Sequence, residues 1–480
     1  MQRRVLWLMT LWLVLAAALW GRLFVCMLLP DGPWGGAGRL WHQHLAVRAE
    51  LEHLALRRTD DARGRILFRN GMQWSGGFPA TLVGAVGLPD VWPDNHRAVA
   101  EQGRSGLEYT FDRLLSGRRP GYIGQLRDRD GHAVSAPWIH IPAISGVDIR
   151  TTIDPGWQYI AQALLRHSGI RKCAIVVLDV NTDDALALAS QGGPPGNIEA
   201  VRAETPGSIF KLVTAAAGLE SFRIRPQSTY DCAGQLRLPG LHLRCWRTHG
   251  HESLHDALAA SCDVALATVG IQAGRQSIEE MARRLRIATP QVQTVTGHCV
   301  LAEAQPGTVF RRAGHDAGLL AHTAIGQEDV RLSPLQAANI VRTIAAGGRI
   351  QNVRLVVDAE MNGRAGRTFE RGPSAPAMSA ATAHALGDAM RAAVVSADGT
   401  GHVLADQTPP CAVKTGTAEL GESGRVNAWM AGYFPYAQPD IAFCVFVGDV
   451  TSSQGHKAVH QIVRGLLHAY VQFRSSSVIG

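Results

Sequence analysis

An α+β fold is predicted by three observations. Two short runs of strand-forming residues, Cys173–Val180 and Ala185–Ser190, are joined by Asn181-Thr182-Asp183-Asp184, a composition that favours an antiparallel hairpin. Three further strand-like runs, 411–420, 427–434 and 441–449, lie far downstream. Between the two groups the apolar spacing is helical. First and last strands separated by a helical insertion imply one five-stranded antiparallel sheet, with its cleft at the border of the helical subdomain.

The chain has 480 residues, 46% hydrophobic and 18% charged, which is ordinary for a folded protein of two to four domains. A net charge of +7, with no run of basic residues and no interleaved aromatic platform, argues against nucleic acid as a ligand.

The elements follow in order. Residues 5–29 are almost continuously apolar and follow Arg3 and Arg4. At about 1.5 Å per residue such a run crosses a bilayer, with the N-terminus inside and the rest outside. Ala16-Ala17-Ala18 resembles a cleavage site, but the apolar run continues to Leu29, which favours an uncleaved anchor. Residues 1–30 are therefore expected to be a cytoplasmic tip and single transmembrane helix. The expected location is the inner (plasma) membrane, with the remaining chain in the periplasm or its extracytoplasmic equivalent. Gly and Pro at 31–40 mark a linker. Helical spacing at 41–57, a strand over 63–69 and an Asn70-Gly71 hairpin turn suggest a small α+β pedestal over 31–148. The main domain is expected over 149–480. There a helix opens at Thr152-Ile153-Asp154 and runs to about His167. Helices are predicted over 208–220, 254–260, 264–271, 276–286, 333–346 and 379–395, and an amphipathic one closes the chain over 458–473. The helix at 333 has Ser333 as N-cap, Pro334 at its first position and Gly347-Gly348 at its end. Residues 359–377 read as a surface excursion.

Only four of the 47 basic residues are lysine, at 172, 211, 414 and 457. Arginine supplies fixed charge, whereas lysine can lose its proton when desolvated. Two of the four sit in short motifs. In Ser208-Ile209-Phe210-Lys211, Pro206-Gly207 precedes a helix, so Ser208 stands near its N-terminus and Lys211 one turn along the same face. A hydroxyl beside an amine that takes its proton is an activated nucleophile, and the N-terminus offers N–H groups to an oxyanion. In Ser261-Cys262-Asp263, Ser261 can relay a proton between two lysines and Asp263 can hydrogen-bond Lys211. In Lys414-Thr415-Gly416-Thr417, a strand edge can pair with an extended peptide, while Lys414 and a threonine hydroxyl bind a carboxylate. Gly416 removes a side chain where substrate approaches, and the Thr417 and Ser208 backbone N–H groups can form an oxyanion hole. The bland alternatives are an ordinary capped helix, a capping serine and a strand lysine. Each motif alone is common.

Eight cysteines are present. Cys173 and Cys444 lie in apolar strands and read as core. Cys232 and Cys245 flank a short turn and could form a disulfide or simply pack. His249, His251 and His255 follow closely, but the spacing matches no common zinc pattern, so neither metal nor cofactor is expected.

The set S-x-x-K, S-x-D and K-T-G in this order resembles the penicillin-binding protein and β-lactamase motifs. Further residues extend the resemblance to the class B penicillin-binding proteins: Asp154 with Gln158, Gly326-Gln327 before Ser333-Pro334-Leu335-Gln336, Ala428-Trp429 before Gly432-Tyr433-Phe434-Pro435, and Arg63-Gly64 with Asn70-Gly71 in the pedestal. The resemblance implies a penicillin-binding, serine β-lactamase-like transpeptidase domain that cross-links peptidoglycan stem peptides. Ser208 would be acylated by the penultimate D-alanine with release of the terminal one, Lys211 would be the base, and Lys414, Thr415 and Thr417 would hold the donor carboxylate. β-Lactams would acylate Ser208, and a multi-spanning glycan polymerase would be a partner. On this view Lys414→Arg is milder than Lys211→Arg, because charge alone binds a carboxylate. Asp263 stands where asparagine is commoner, which points to the elongation-type branch. Phe68 stands where an acidic residue is usual. Two alternatives share the fold: a β-lactamase or β-lactam sensor, and an inactive wall-synthesis scaffold.

Overall fold

The computed structural model describes residues 12–21, 54–60, 63–74, 81–87, 102–117, 121–126 and 138–477, the last range without 193–197, 296, 315 and 362–363. The chain divides into two compact units, Met1–Ala62 with Gly117–Ser145, and Arg63–Ser116 with Gly146–Gly480.

In the first unit, Leu54–Asp60 pairs antiparallel with Gly121–Leu126, which pairs in turn with Ile139–Ile141. The helix expected over 41–57 is therefore a strand in its described part, residues 54–57. Cross-strand bonds to a partner far along the chain outweigh local apolar spacing. Of the expected anchor, the described part is a helix over 12–21, and its flanks lie outside the described residues. Among the described residues, no helix is long and apolar enough to cross a membrane.

The second unit takes in Arg63–Ser116, which the sequence reading assigned to a separate pedestal. Ile66–Leu67 pairs parallel with Asp148–Thr151, in a four-stranded sheet completed by Val356–Met361 and Arg364–Thr368. The turn at Asn70-Gly71 forms as expected, with Gly71 at φ 83° and Leu67 bridged to Gln73. Phe68 is fully buried and stacks on Trp74 at 4.3 Å. An acidic group there would lack water, so the apolar residue suits this packing. The stretch read as a surface excursion, 359–377, is mostly exposed from 366 to 376, yet it carries the end of Val356–Met361, the strands Arg364–Thr368 and Ala375–Pro376, and the buried Phe369.

The largest sheet of the second unit has five antiparallel strands: β1 (Cys173–Asp179), β2 (Ala185–Gln191), β3 (Ala412–Glu419), β4 (Arg425–Phe434) and β5 (Ile441–Thr451). Their order is β3-β4-β5-β1-β2, so β1 and β5 pair although the helical insertion separates them in sequence. Both faces are covered, which explains the nearly continuous apolar runs. Alternate residues serve different cores: Ala174, Val176 and Leu178 face one, Cys173, Ile175 and Val177 the other. The second core is closed by α1 (Pro155–Ser168) and the C-terminal helix Ser452–Ser477. Asp154 caps α1 by accepting from Gly156 and Trp157 N–H, and Pro155 occupies the first turn. The first core holds the insertion: α2 (Lys211–Glu220), α3 (Leu254–Ala259), α4 (Asp263–Arg284), α5 (Pro334–Ala345) and α6 (Ala380–Val395). The two helical segments expected over 264–271 and 276–286 form within α4, separated by the non-helical Gly274 at φ 76° and ψ 162°. Ser333 and Gln336 form the reciprocal capping box of α5. Cys173 and Cys444 are fully buried, as expected of core residues.

Candidate active site

Three chain segments meet where β3 borders the insertion. The first is a tight 3-10 turn, Gly207–Phe210, that runs directly into α2. It places Ser208 half-exposed at the head of the helix and Lys211, fully buried, at its first position. The turn is pressed against β3. Gly207 has φ 53°, and a Cβ there would meet Thr417 O at 2.3 Å. A Cβ on Gly416 would meet Pro206 O at 2.6 Å and Ile209 Cγ1 at 2.8 Å. The close neighbour of Gly416 is the turn carrying Ser208, and glycine lets the two backbones touch.

The second segment is the corner between α3 and α4. Ser261 sits there at φ 56°, a conformation that non-glycine residues seldom adopt. The strained backbone aims its side chain between two amines. Lys211 Nζ donates to Ser261 O at 2.7 Å, Ser261 Oγ at 3.2 Å and Asp263 Oδ1 at 2.7 Å. Lys414 Nζ, from β3, donates to Ser261 Oγ at 2.8 Å and Thr415 O at 2.9 Å. Among the described hydrogen bonds Lys211 reaches Ser261 and Asp263, not Ser208.

Lys414 is fully buried, as is Lys211. Burial holds the Lys414 amine well below the usual lysine range, and the charge of Lys211 adds to the effect while Asp263 opposes it. Lys414 is thus enclosed against Ser261. A planar guanidinium has no place in that enclosure, so the expectation that Lys414→Arg is mild is set aside.

The third segment is the outer part of β3. Thr415 Oγ1 donates to Thr400 Oγ1 at 2.8 Å, and Thr417 Oγ1 lies 3.0 Å from His456 Nε2. Thr400 and His456 carry no motif that sequence reading could find. They reach the strand only through the turn after α6 and the start of the C-terminal helix. Behind the site, Trp429 of β4 donates to Thr205 O at 3.0 Å, which ties the strand to the Ser208 approach. The structure thus brings Ser208, Lys211, Ser261, Asp263, Lys414, Thr415, Gly416 and Thr417 into one neighbourhood.

The cysteines depart from expectation. Cys232 and Cys245 form no disulfide, and all seven described cysteines are free. Cys232 Sγ and Cys245 Sγ each lie 3.5 Å from His249 Nδ1, so the imidazole stands between them. Cys262, overlooked inside the second motif, completes the group at 4.0 Å from Cys245 Sγ. The four ligand atoms lie within 4.8 Å of one another. His251 and His255 are elsewhere, exposed and paired with Asp231 and Asp256. The Cys245 thiol is pulled down to about 4, first by its contact with Cys262 and further by the Val264 and Asp263 amides, against the cost of burial. Cys262 is pushed up by the same contact and by burial.

Comparison with known proteins identifies the family and the fold. Residues 173–468 match the family model described as the penicillin binding protein transpeptidase domain. The chain is 28% identical over 408 residues to the peptidoglycan D,D-transpeptidase PbpA of Mycolicibacterium smegmatis, covering 76% of this chain and 79% of that one. Penicillin binding protein 3 of Mycobacterium tuberculosis, solved with ampicillin, superposes with a TM-score of 0.69 at 20% identity, over 88% of this chain and 96% of that one. A chain from a peptidoglycan synthase complex that coordinates polymerization and crosslinking superposes with a TM-score of 0.69 at 22% identity, over 96% and 98%. The match covers more than half of the sequence and contains all three motifs, so the chain belongs to the penicillin-binding protein transpeptidase family.

Proposed function

We propose that the chain is a serine-type peptidoglycan D,D-transpeptidase of the class B penicillin-binding proteins. The observation that carries the reading is Ser261 Oγ held between the amines of Lys211 and Lys414, beside the turn of Ser208. Two buried ammonium groups bridged by one hydroxyl repel each other, so one of the pair gives up its proton. Lys414, which burial and the charge of Lys211 both act against, is the neutral member at rest. Lys211 pairs with the Asp263 carboxylate at 2.7 Å. A proton passed from Lys211 through Ser261 Oγ to Lys414 leaves Lys211 with a free electron pair, ready to act as base.

The reaction then runs in two steps. Ser208 Oγ attacks the carbonyl of the penultimate D-alanine as Lys211 takes the hydroxyl proton. The Ser208 and Thr417 N–H groups receive the oxyanion. The C–N bond breaks, Ser261 delivers a proton to the leaving nitrogen, and Lys414 restores it. Thr415 and Thr417 hold the terminal carboxylate, oriented by Thr400 and His456. An amine from a neighbouring stem attacks the ester, forms the cross-link and frees Ser208. A β-lactam enters the same route and stops as the ester.

The same reading places the chain at the inner membrane, anchored by the apolar run 5–29, with the catalytic domain outside. Asp263 favours an elongation-type role, and a multi-spanning glycan polymerase is the proposed partner. The test is mass spectrometry of the penicillin-treated protein. One long-lived adduct on Ser208 is expected. Rapid penicillin turnover would indicate a β-lactamase instead, and an unreactive Ser208 would indicate a scaffold.

A further inference from the structure

We propose that His456 is a positioning residue for the donor carboxylate: its Nε2–H turns the Thr417 hydroxyl proton toward the cleft, and its imidazolium form holds a carboxylate-terminated donor more tightly than the neutral ring does. The proposal rests on the transpeptidase reading above, in which Thr415 and Thr417 receive that carboxylate. The fold explains how a helix residue reaches the edge strand. The C-terminal helix begins at Ser452, directly after β5. A Cβ on Gly455 would meet Ala428 Cβ at 2.7 Å and Val450 Cγ2 at 3.1 Å, so the first turn lies against β4 and β5. Ala428 is the cross-strand partner of Thr417. The next residue, His456, therefore arrives beside Thr417, with its Nε2 3.0 Å from Thr417 Oγ1.

Counting protons gives the chemistry. A hydroxyl has one proton to donate, and a neutral imidazole has one N–H. With bare Nε2 toward Thr417, the hydroxyl donates to the ring and turns its lone pairs to the cleft, which repels an anion. With Nε2–H toward Thr417, the hydroxyl accepts from the ring and donates to the carboxylate. The imidazolium carries a proton on both nitrogens, so it permits only the second arrangement, and it adds a positive charge. The carboxylate lacks one otherwise. In the mechanism above Lys414 is neutral at rest, and Lys211 is paired with Asp263. Among the described hydrogen bonds, Thr415 Oγ1 reaches Thr400 Oγ1 and Thr417 Oγ1 reaches His456. His456 is thus the ionisable group in direct contact with the carboxylate-binding hydroxyls.

The ring faces solvent on one side, yet the surrounding protein holds its pKa below the usual histidine range. At neutral pH the ring alone is therefore uncharged. A carboxylate against Thr417 draws the proton back, and by linkage protonation strengthens carboxylate binding by the same factor. His460 stacks on His456 with ring centroids 6.4 Å apart, and Arg464 acts on His460 from one turn further along. Their mutual repulsion means that the pair takes up one proton, not two. On the elements packed nearby, Glu419 lies two residues beyond Thr417 on β3, and Arg425 pairs with Asp449 at the ends of β4 and β5. Lys457 adjoins His456, and Asp406 lies near Arg464. His402 bonds Val394 O, and α1 presents an exposed Arg166 and His167, the latter bonded to Ala163 O. Lys414, on β3, is the other amine whose charge can change near neutral pH. Variants separate these groups from His456.

The test uses the purified full chain and compares benzylpenicillin with its methyl ester, which carries no charge. Second-order acylation rates are measured for both between about pH 8 and about pH 5.5, the range in which a histidine titrates. The ratio of the two rates cancels the pH dependence of the base. In the parent the ratio should rise roughly fivefold on acidification, the advantage of a charge-assisted over a neutral hydrogen bond. His456→Gln keeps an N–H for Thr417 but no charge, so its ratio should stay flat. His460→Gln should keep the rise. A flat ratio in the parent, or an undiminished rise in His456→Gln, overturns the proposal. A rise lost only in His460→Gln puts the proton on that ring and overturns the assignment to His456. The second measurement needs no acylation. In the Ser208→Ala chain carrying isotope-labelled histidine, saturating benzylpenicillin should raise the proton affinity of His456 by roughly the same fivefold in an NMR titration. An unmoved His456 titration overturns the proposal by itself. A parent chain that forms no acyl-enzyme, while the Ser208→Ala chain shows the shift, would tell against the transpeptidase reading and uphold the carboxylate site.

Discussion

Lys414 Nζ donates to Ser261 Oγ at 2.8 Å, and the same oxygen lies 3.2 Å from Lys211 Nζ. One hydroxyl therefore links two buried amines that come from α2 and β3. Ser261→Ala removes the side-chain oxygen that, among the described residues, bonds both amines and can pass a proton between them. The acylation rate should fall by roughly 10²–10⁴, the range of lost acid–base assistance, with the fold unchanged by circular dichroism. Stopped-flow acylation with a fluorescent penicillin measures it. A rate within twofold of the parent would remove the relay from the mechanism.

Lys414 gives a prediction in which activity and stability part. Its amine is held well below the usual lysine range, chiefly by burial. In the window between that lowered pKa and the ordinary lysine value, the unfolded chain binds a proton that the folded chain does not. Stability therefore rises with pH across the window and is lost as pH falls through it. Lys414→Met fills a similar volume without this penalty. Its melting temperature at neutral pH should equal or exceed the parent's, and the difference should shrink toward pH ~10.4, the ordinary lysine value. Its acylation rate should drop roughly 10²-fold or more. Melts at neutral and alkaline pH, run beside the acylation assay, check both parts.

Lys211→Arg keeps the positive charge beside Asp263 but not the capacity to accept a proton. Acylation should fall by roughly 10²–10⁴. The loss should persist from pH 6 to 9, because guanidinium does not titrate there. If alkaline pH rescued the variant, the base would have to be another group. Asp263→Asn should be gentler than Lys211→Arg, since the amide oxygen still accepts from the amine.

How far the sequence could be read follows the range of the interactions. The sheet strands, the caps at Asp154 and Ser333 and the break at Gly274 are local events, written in neighbouring residues. The three motifs were legible because a nucleophile, its base and an anion-binding strand need particular residue types at short spacing. Partners from distant segments were not. Thr400 and His456 touch β3 only after the helices have packed. Cys262 was hidden by its own motif, since a buried small residue between Ser and Asp reads as packing. The strand at Leu54–Asp60 depends on Gly121–Leu126 for its bonds, and helical spacing concealed it. Gly416 was noticed, but its backbone contact with the turn of Ser208 is one that no sequence pattern records.

That contact carries the last prediction. A Cβ at Gly416 would stand 2.6 Å from Pro206 O and 2.8 Å from Ile209 Cγ1. Pro206 O belongs to backbone pinned on both sides: Trp429 Nε1 holds Thr205 O at 3.0 Å, and the Gly207 N–H donates to Gly326 O at 3.1 Å. The clash cannot be relieved by turning a side chain. Gly416→Ala must therefore push the Ser208 turn away from β3. The sheet should survive, because β3 still pairs with β4 from Ala412 to Glu419. Displacing a nucleophile by about 1 Å costs on the order of 10²-fold in rate. Acylation should fall by that order, while far-ultraviolet circular dichroism stays that of the parent. The same substitution with an undiminished acylation rate would show that Ser208 does not depend on this backbone contact.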